Sequence, residues 1–469
     1  MSKETENIPV RKNEFWENWG QTAHCRPEYS FFPQRLEDLV SIVQFASQAG
    51  KKLRVVTSGH SWSALVPTEE ILVHAGALNH VRMDQSDPHA PRVIVACGAT
   101  VKEVNDVLER HGYALAFNVV LESVRFGGLI ATGSHGSGWN HQTLSDLVHA
   151  IDVVVASGEI RRFETGVDSE DVMNAVRLSL GMFGIVYQIT LNVQKSWVVR
   201  AIDRRLPMSA VLPNLREWVT GQDNLDLFWW PFTDQFWVKS WNRQPDSTPT
   251  TARPRYSQWD RIYAAVTGQL YHQSFHLLRP FPQITPLANR AAFRATPSIN
   301  NQAVNVVEAI HYRRSIEVVK AGCVEVAFKL DEDFETVRWA MQVVFDSVKA
   351  QAARQQFPMN LTMNVRFIHN SNCWLSPAFG DGHTCYIEIL SYTDQTAWEK
   401  FSGAVAAEWL KLPQAQPHWA KEFRHIPGVI PHLLHTAGER IARFKQIKDE
   451  LGVDPQGMFI NAALAEIFS

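Results

Sequence analysis

Two short polar loops hold the residues in this chain best suited to chemistry. The first, Thr57-Ser58-Gly59-His60-Ser61-Trp62, follows the strand-like run Leu53-Arg54-Val55-Val56. Successive backbone N–H groups in such a loop can converge on phosphate oxygens, and Gly59 permits close approach of the main chain. The second runs from Gly127 to Gly138 (GGLIATGSHGSG), the most glycine-dense stretch of the sequence. It offers the same physics through Gly128, Thr132, Gly133, Ser134, His135 and Gly138. Two such loops in one domain can flank a single pyrophosphate. No GxGxxG opens a helix after the first strand and no GxxxxGK[ST] occurs, so the dinucleotide-fold and P-loop readings are disfavoured. Each loop alone reads equally well as a plain turn.

The elements that must position these loops alternate between strand and helix. Periodicity predicts a helix over 37–48 with Gly50 as its C-cap, strands at 53–56, 71–74 and 93–96, and a helix over 101–111. A strand at 151–156, a helix near 168–180 and a strand over 184–191 follow. From about residue 195 the pattern changes. Runs at 225–230 and 235–241 have no helix between them, which favours antiparallel pairing. Residues 244–300 are rich in proline and polar residues and read as long surface connections. Alternating runs at 322–328, 361–367 and 385–392 bracket a helix at about 333–352. A last helix carrying Arg440, Arg443 and Lys445 leads to a short strand at 458–461. The expected class is α+β, with the second domain a mainly antiparallel sheet flanked by helices.

Bulk properties narrow the function. At 469 residues, two or three folding units are expected. A net charge of −3 argues against a nucleic-acid or anionic-membrane partner. The first residues carry no apolar leader and no run reaches the ~20 apolar residues of a membrane helix, so a cytoplasmic protein without a membrane span is expected. Five scattered cysteines without a CxxC pair fit free buried thiols rather than a disulfide framework or a metal site.

Taken together, the motifs make the chain resemble the vanillyl-alcohol-oxidase-type flavoproteins, which share the PCMH-type FAD-binding fold. Within them it is most similar to the sugar 1,4-lactone oxidase branch, which includes gulonolactone, arabinonolactone and alditol oxidases. The resemblance covers almost the whole chain. Thr57 to Ser61 resembles the first FAD loop, whose histidine (here His60) bonds covalently to the flavin. Gly128 to Gly138 resembles the second loop, and Leu180 to Val186, with Ile185, the stretch that reaches the adenine side. Phe228 to Asp234 and Val365-Arg366-Phe367 with Trp374 to Pro377 resemble substrate-domain segments. His418-Trp419-Ala420-Lys421 resembles the branch's C-terminal signature. A second, cysteinyl flavin link is excluded, because residues 112–130 hold no cysteine.

The resemblance implies an FAD-binding domain over 1–195, a substrate domain over 196–424 and a C-terminal segment over 425–469 packing back on the first. It implies oxidation of a C–OH group by hydride transfer to FAD, with O2 as acceptor and H2O2 as product. Arg366 and Lys421 would supply positive charge beside the substrate oxygen, and His418 would brace the loop against the flavin. A dehydrogenase with another acceptor and a diverged flavin-binding protein are the alternatives.

Two positions depart from the pattern. Where the branch carries a glutamate two residues before the arginine, this chain has Asn364, which can bond a hydroxyl but cannot act as a base. Arg366 is then expected to pair with Glu325 or Glu388. Counting back from Gly128, the branch's small gate residue and following serine fall on Val119 and Val120, and Ser123 is a further candidate flavin contact. Valine at the gate would slow oxygen. Both departures point to a substrate larger or less polar than a simple aldonolactone or alditol.

Overall fold

The chain is described here from a computed structural model covering residues 7–244, 281–311, 320–392 and 394–468, with Thr5, 257–259, 262, 266 and 273. The N-terminal part is built on two sheets. Strands Leu53–Val56, Ile71–His74 and Tyr29–Phe31 pair in parallel, and Val10–Lys12 adds an antiparallel edge. The helix Leu36–Ala49 ends at Gly50, whose φ of 63° is the left-handed conformation a glycine C-cap allows. Five antiparallel strands form the second sheet, with Val148–Val154 and Ile185–Asn192 at its centre. The helix expected near 168–180 is confined to Glu170–Val176, because Leu180 and Gly181 turn to φ of 52° and 74°.

The second part is one antiparallel sheet of eight strands. Its spatial order is Ile299–Asn305, Val198–Pro207, Gln235–Gln244, Asn224–Trp229, Met363–Ile368, Thr384–Ser391, Gly322–Lys329 and Gln416–Pro417. Strict alternation sorts its side chains. Leu227, Val238, Val365, Ile387 and Val326 face one way, into the main core, where the helices Glu335–Ala353 and Gln395–Trp409 pack. The residues between them face the other way, toward the N-terminal part.

Two expectations need correction, and one helix answers to none. Of the stretch read as surface connections, 245–256 and most of 260–280 lie outside the described residues. Its end is a helix, Thr285–Arg294, and an edge strand, Ile299–Asn305. Residues 458–461 form turns rather than a strand, and a helix follows at Ala462–Phe468. Asp454 explains this, because its carboxylate accepts from the N–H groups of both Met458 and Phe459 and curls the chain. The helix Gln395–Trp409 went unassigned, although Trp398, Phe401, Val405 and Trp409 are spaced for one buried face. All five cysteines are buried and free. No helix of the described residues is long and apolar enough to cross a membrane.

The C-terminal segment is fastened to the first sheet by a buried cation. Arg54 donates to the carbonyls of Leu65 (2.8 Å), Phe459 (2.5 Å) and Leu180 (2.9 Å), tying together three segments distant in sequence. Leu53 N–H adds a bond to Met458 O (2.9 Å). Replacing Arg54 by Met leaves the buried carbonyls of Phe459 and Leu180 without this donor, and Leu65 O with Asn461 Nδ2 at 3.3 Å. We expect a loss of unfolding free energy of about 3 kcal/mol or more, measured by urea unfolding.

Candidate active site

A cavity of about 940 Å³ lies where the two glycine-bearing loops of the first part meet the open face of the eight-stranded sheet. Cross-strand register builds its floor, since directly paired residues share a face. One row reads Trp237, Phe228, Asn364, Glu388 and Glu325 across five adjacent strands. The next row reads Lys239, Asp226, Arg366, Tyr386 and Ala327. Of the second row Arg366 lines the cavity, so the exposed floor is the first row, which passes from aromatic at one side to ionic at the other.

The ionic side is a connected cluster. Lys421 Nζ lies 2.6 Å from Glu388 Oε1, and Arg366 approaches Glu388 Oε2 at 3.3 Å and Glu325 Oε1 at 3.4 Å. Asp226 stands 3.7 Å from the same guanidinium. Both carboxylates expected as alternative partners of Arg366 are thus used together. Asn364 Nδ2 donates to Glu388 Oε2 (2.7 Å), and its Oδ1 is buried without a hydrogen-bond partner. Because a carboxylate can only accept, the nitrogen must face Glu388 and the oxygen must face away. The Cys323 thiol donates to Glu388 Oε1 (3.1 Å).

These contacts set the charge states. Burial would raise the Glu388 carboxyl, but Lys421 and then Arg366 outweigh it and hold the group down to about 2. Burial likewise opposes ionisation of Glu325, and Lys421 and His135 keep it well below the ordinary carboxylate value. Lys421 is held above the usual lysine value despite its burial, by the anions around it. His418 is pushed down to about 3, chiefly by burial, and His60 to about 4 by burial and then by the charge of Lys421. Both imidazoles are neutral near pH 7.

The loops are locked to this floor. Trp62 N–H donates to Ala420 O (2.7 Å), Trp62 Nε1 to Ala321 O (2.6 Å), and Ser63 Oγ to Trp419 O. The Lys421 ammonium sits 4.3 Å from the Trp62 ring centroid, a cation–π contact. His418 Nδ1 accepts from Ala420 N–H (3.1 Å), and the backbone N–H of His418 donates to the backbone carbonyl of Glu325 (3.0 Å), which fixes the turn before Lys421. Trp19 stacks on His60 at 4.9 Å between centroids. Nothing in the sequence around Trp19 signals that role.

Of the residues expected at a site, Thr57, Ser58, Gly59, His60, Ser61, Trp62, Gly128, Thr132, Ser134, His135, Asn364, Arg366, His418 and Lys421 all line this cavity. Val119 and Val120 line it as well. Four others do not. Ser123 is exposed outside it, Ile185 is buried in the core beneath it, and Gly133 and Gly138 turn the chain behind its wall. Gly133 and Gly138 have φ of 68° and 146°, and a Cβ on Gly138 would strike His141 at 2.2 Å. The adenine-side stretch reaches the cavity through Leu180, Gly181, Gly184 and Val186 instead.

His135, Glu325 and His418 bring ligand-type atoms within 4.8 Å of one another, a cluster no sequence spacing announced. The Glu325 oxygen nearest His135 is the one nearest Arg366, so a metal there would face a guanidinium. The loop hydroxyls present a different requirement. Ser58 Oγ and Ser61 Oγ are buried with no hydrogen-bond partner, and a Cβ on Gly128 would come within 3.1 Å of Thr57 Oγ1. Donors without partners on the first loop, facing a second glycine loop across the cavity, suit an extended ligand with many acceptor oxygens, which FAD is.

Residues 27–164 match the family described as FAD binding domain, and residues 189–467 match D-arabinono-1,4-lactone oxidase. The chain is 27% identical to an L-gulonolactone oxidase from Scyliorhinus torazame, covering 97% of this chain and 98% of that one. It is also 27% identical to an L-gulono-1,4-lactone dehydrogenase from Mycobacterium tuberculosis, over 95% and 97%. Among solved structures, cholesterol oxidase from B. sterolicum superposes with a TM-score of 0.83 at 16% identity, covering 99% and 98%, which is a likeness of fold.

Two outcomes follow from the buried charges. Glu388→Gln leaves Lys421 and Arg366 short of an anion and is expected to lower unfolding free energy by about 3 kcal/mol or more, read by denaturant unfolding. The depressed histidines act on acid stability. As pH falls below 6.5, the unfolded chain binds protons at His60 and His418 that the folded chain refuses. The melting temperature should therefore drop from about pH 7.5 to about pH 5, and drop less in His418→Gln.

Proposed function

The chain belongs to the D-arabinono-1,4-lactone oxidase family, and on that premise we propose that it oxidises the C–OH group of a small molecule with FAD bonded covalently to His60. In this reading residues 1–195 form the FAD-binding unit, 196–424 the substrate unit, and 425–469 return to the first. The observation that carries it is the convergence, in one cavity, of unpartnered loop hydroxyls and the Arg366–Lys421 cations. When bound, FAD supplies the oxidant, accepting hydride from the carbinol carbon and passing the electrons to an acceptor.

The protein's own groups divide the remaining work. Thr57, Ser58, Gly59, Ser61, Gly128, Thr132, Ser134 and His135 line the loops that hold the cofactor. His60, neutral and steadied by Trp19, would offer the ring-nitrogen lone pair through which the flavin is tethered. Asn364 Oδ1, buried and unpartnered, accepts from the substrate hydroxyl and so orients it. Arg366 and Lys421 favour negative charge developing on that oxygen, in a site where water does not screen it. Glu388 already serves Lys421, Asn364, Arg366 and Cys323. Glu325, which Arg366 approaches at 3.4 Å, is the carboxylate left to take the hydroxyl proton once the O–H turns to it from Asn364.

O2 is the proposed acceptor, with H2O2 as product. Val119 in the cavity wall favours a second reading, a dehydrogenase using another acceptor. Turnover under air and under nitrogen with a dye acceptor separates them: oxidase action needs air, whereas dehydrogenase action survives nitrogen.

The site assignments have direct tests. Flavin should remain with acid-precipitated protein, and His60→Ala should release it to the supernatant. Arg366→Ala should lower kcat/KM about 10²–10³-fold while flavin content is unchanged. Normal turnover by Arg366→Ala would remove that residue from the mechanism.

A further inference from the structure

The aromatic side of the cavity floor has a roof, and the two together define a second compartment beside the ionic cluster. Phe228 and Trp237 continue the row that holds Asn364 and Glu388, and Trp230 lies next to them, 6.4 Å from Trp237 between centroids. The helix Thr285–Arg294 crosses over them. It turns Leu287, Ala288, Ala291 and Ala292 to the cavity, with Ala295 just beyond its end, a spacing that puts them on one helical face. Alanine along that face leaves width between roof and floor, where larger side chains would close it.

This roof is anchored. Phe293 packs edge-on against Trp230 at 5.7 Å, and Arg290 Nε donates to Phe232 O (3.0 Å). Trp237 Nε1 donates to Pro297 O (2.9 Å), and Arg205 donates to the carbonyl of Thr296 (2.5 Å). Val119 and Val120 close the side toward the glycine loops, and Leu361 and Leu390 line the cavity beside Asn364. The carbonyl of Val120 is held by His311 (3.1 Å), which also meets Asn105 (2.8 Å). Leu287 is 67% exposed, so the apolar character extends outward along the same helix.

The chemistry of the two compartments differs sharply. Charged and amide groups able to hold one hydroxyl are gathered at the ionic end. Among the described residues the other compartment is walled by aliphatic and aromatic carbon, with Thr296 and Thr362 bearing hydroxyls. The Thr296 hydroxyl is already spent on Phe293 O (2.8 Å). A polyol chain entering there would lose hydrogen bonds to water and find few in return, whereas apolar carbon loses none.

We propose that the substrate is an alcohol whose carbinol carbon bears a bulky apolar body, an alkyl chain or a fused ring, and not a free polyol or aldonolactone. This rests on the reading that the cavity binds FAD and oxidises a C–OH group. The carbinol end sits at Asn364 and Arg366, and the apolar body lies between the aromatic row and the alanine face.

The test uses the flavin-loaded full-length enzyme, following loss of flavin absorbance without oxygen and then steady-state turnover. The probes are sorbitol and gulono-1,4-lactone, an alkan-1-ol series from butan-1-ol to decan-1-ol, and a decalin alcohol. The apolar alcohols should exceed both polar probes in kcat/KM by about tenfold or more. Along the alkanol series KM should fall about three- to fourfold for each added methylene. A response to the alkanols alone identifies a chain, and a response to the decalin alcohol identifies a ring. Ala292→Phe should raise KM for the apolar alcohols about tenfold more than for gulono-1,4-lactone, with kcat less affected. Ala288→Leu is the milder version should Ala292→Phe fail to fold. Preferential turnover of sorbitol or the lactone, or an equal effect of Ala292→Phe on polar and apolar probes, overturns the inference while leaving the oxidative reading intact. A retained flavin that no probe reduces defeats that reading, and this inference with it.

Discussion

Glu388 holds opposite sides of the cavity together, and most of the site's geometry depends on it. Its carboxylate takes Lys421 from the C-terminal loop on one oxygen, and Asn364 and Arg366 from the neighbouring strand on the other. Removing so many charges from water is costly, and that cost is recovered only when the ions meet at short range and their remaining hydrogen-bonding positions are filled. The cluster meets this condition by sharing. The result is a floor and a loop that cannot move independently, with Trp62 carrying the same restraint to the first glycine loop.

That arrangement changes how the cations act on a substrate. Arg366 and Lys421 are not isolated charges awaiting an oxyanion, since Glu388 and Glu325 balance them closely. On the proposed reading, what they offer is a fixed positive field beside the substrate oxygen that also keeps both carboxylates ionised. Asn364 fits the same scheme. A second glutamate at that position would place another anion directly opposite Glu388 in the register, where like charges repel. The carboxylate stands instead one strand over, and the amide bridges to it.

The balance of family and fold is informative. Loop and signature motifs place the chain among lactone oxidases, yet one end of its cavity floor is aromatic. Relatives at the same 27% identity are named as an oxidase and a dehydrogenase, so overall similarity does not choose the acceptor. Local side chains must choose it, and Val119, in the cavity wall, is the position proposed to bear on that choice.

Much of this could be read from the residues in order. Alternation of apolar and polar side chains in 225–230, 322–328, 361–367 and 385–392 marks strands with one buried face, because that period belongs to the extended backbone alone. The glycine loops were legible because positive φ and close approach demand glycine. Ser123, Ile185, Gly133 and Gly138 were named with them, and the cavity left all four outside its wall, since motif membership does not say which way a side chain turns. Other features had no local signature. Trp19 lies far in sequence from the histidine it stacks on, and the Asp454 turn replaced an expected strand through side-chain bonds to the backbone. The sequence by itself determined the loops, the strand faces and the candidate cations. Only the tertiary structure decided that Glu388 stands opposite Asn364, that Phe228 and Trp237 extend that row, and that an alanine-faced helix covers it. Register between strands 24 or more residues apart is set by how whole elements pack, and no local propensity encodes it.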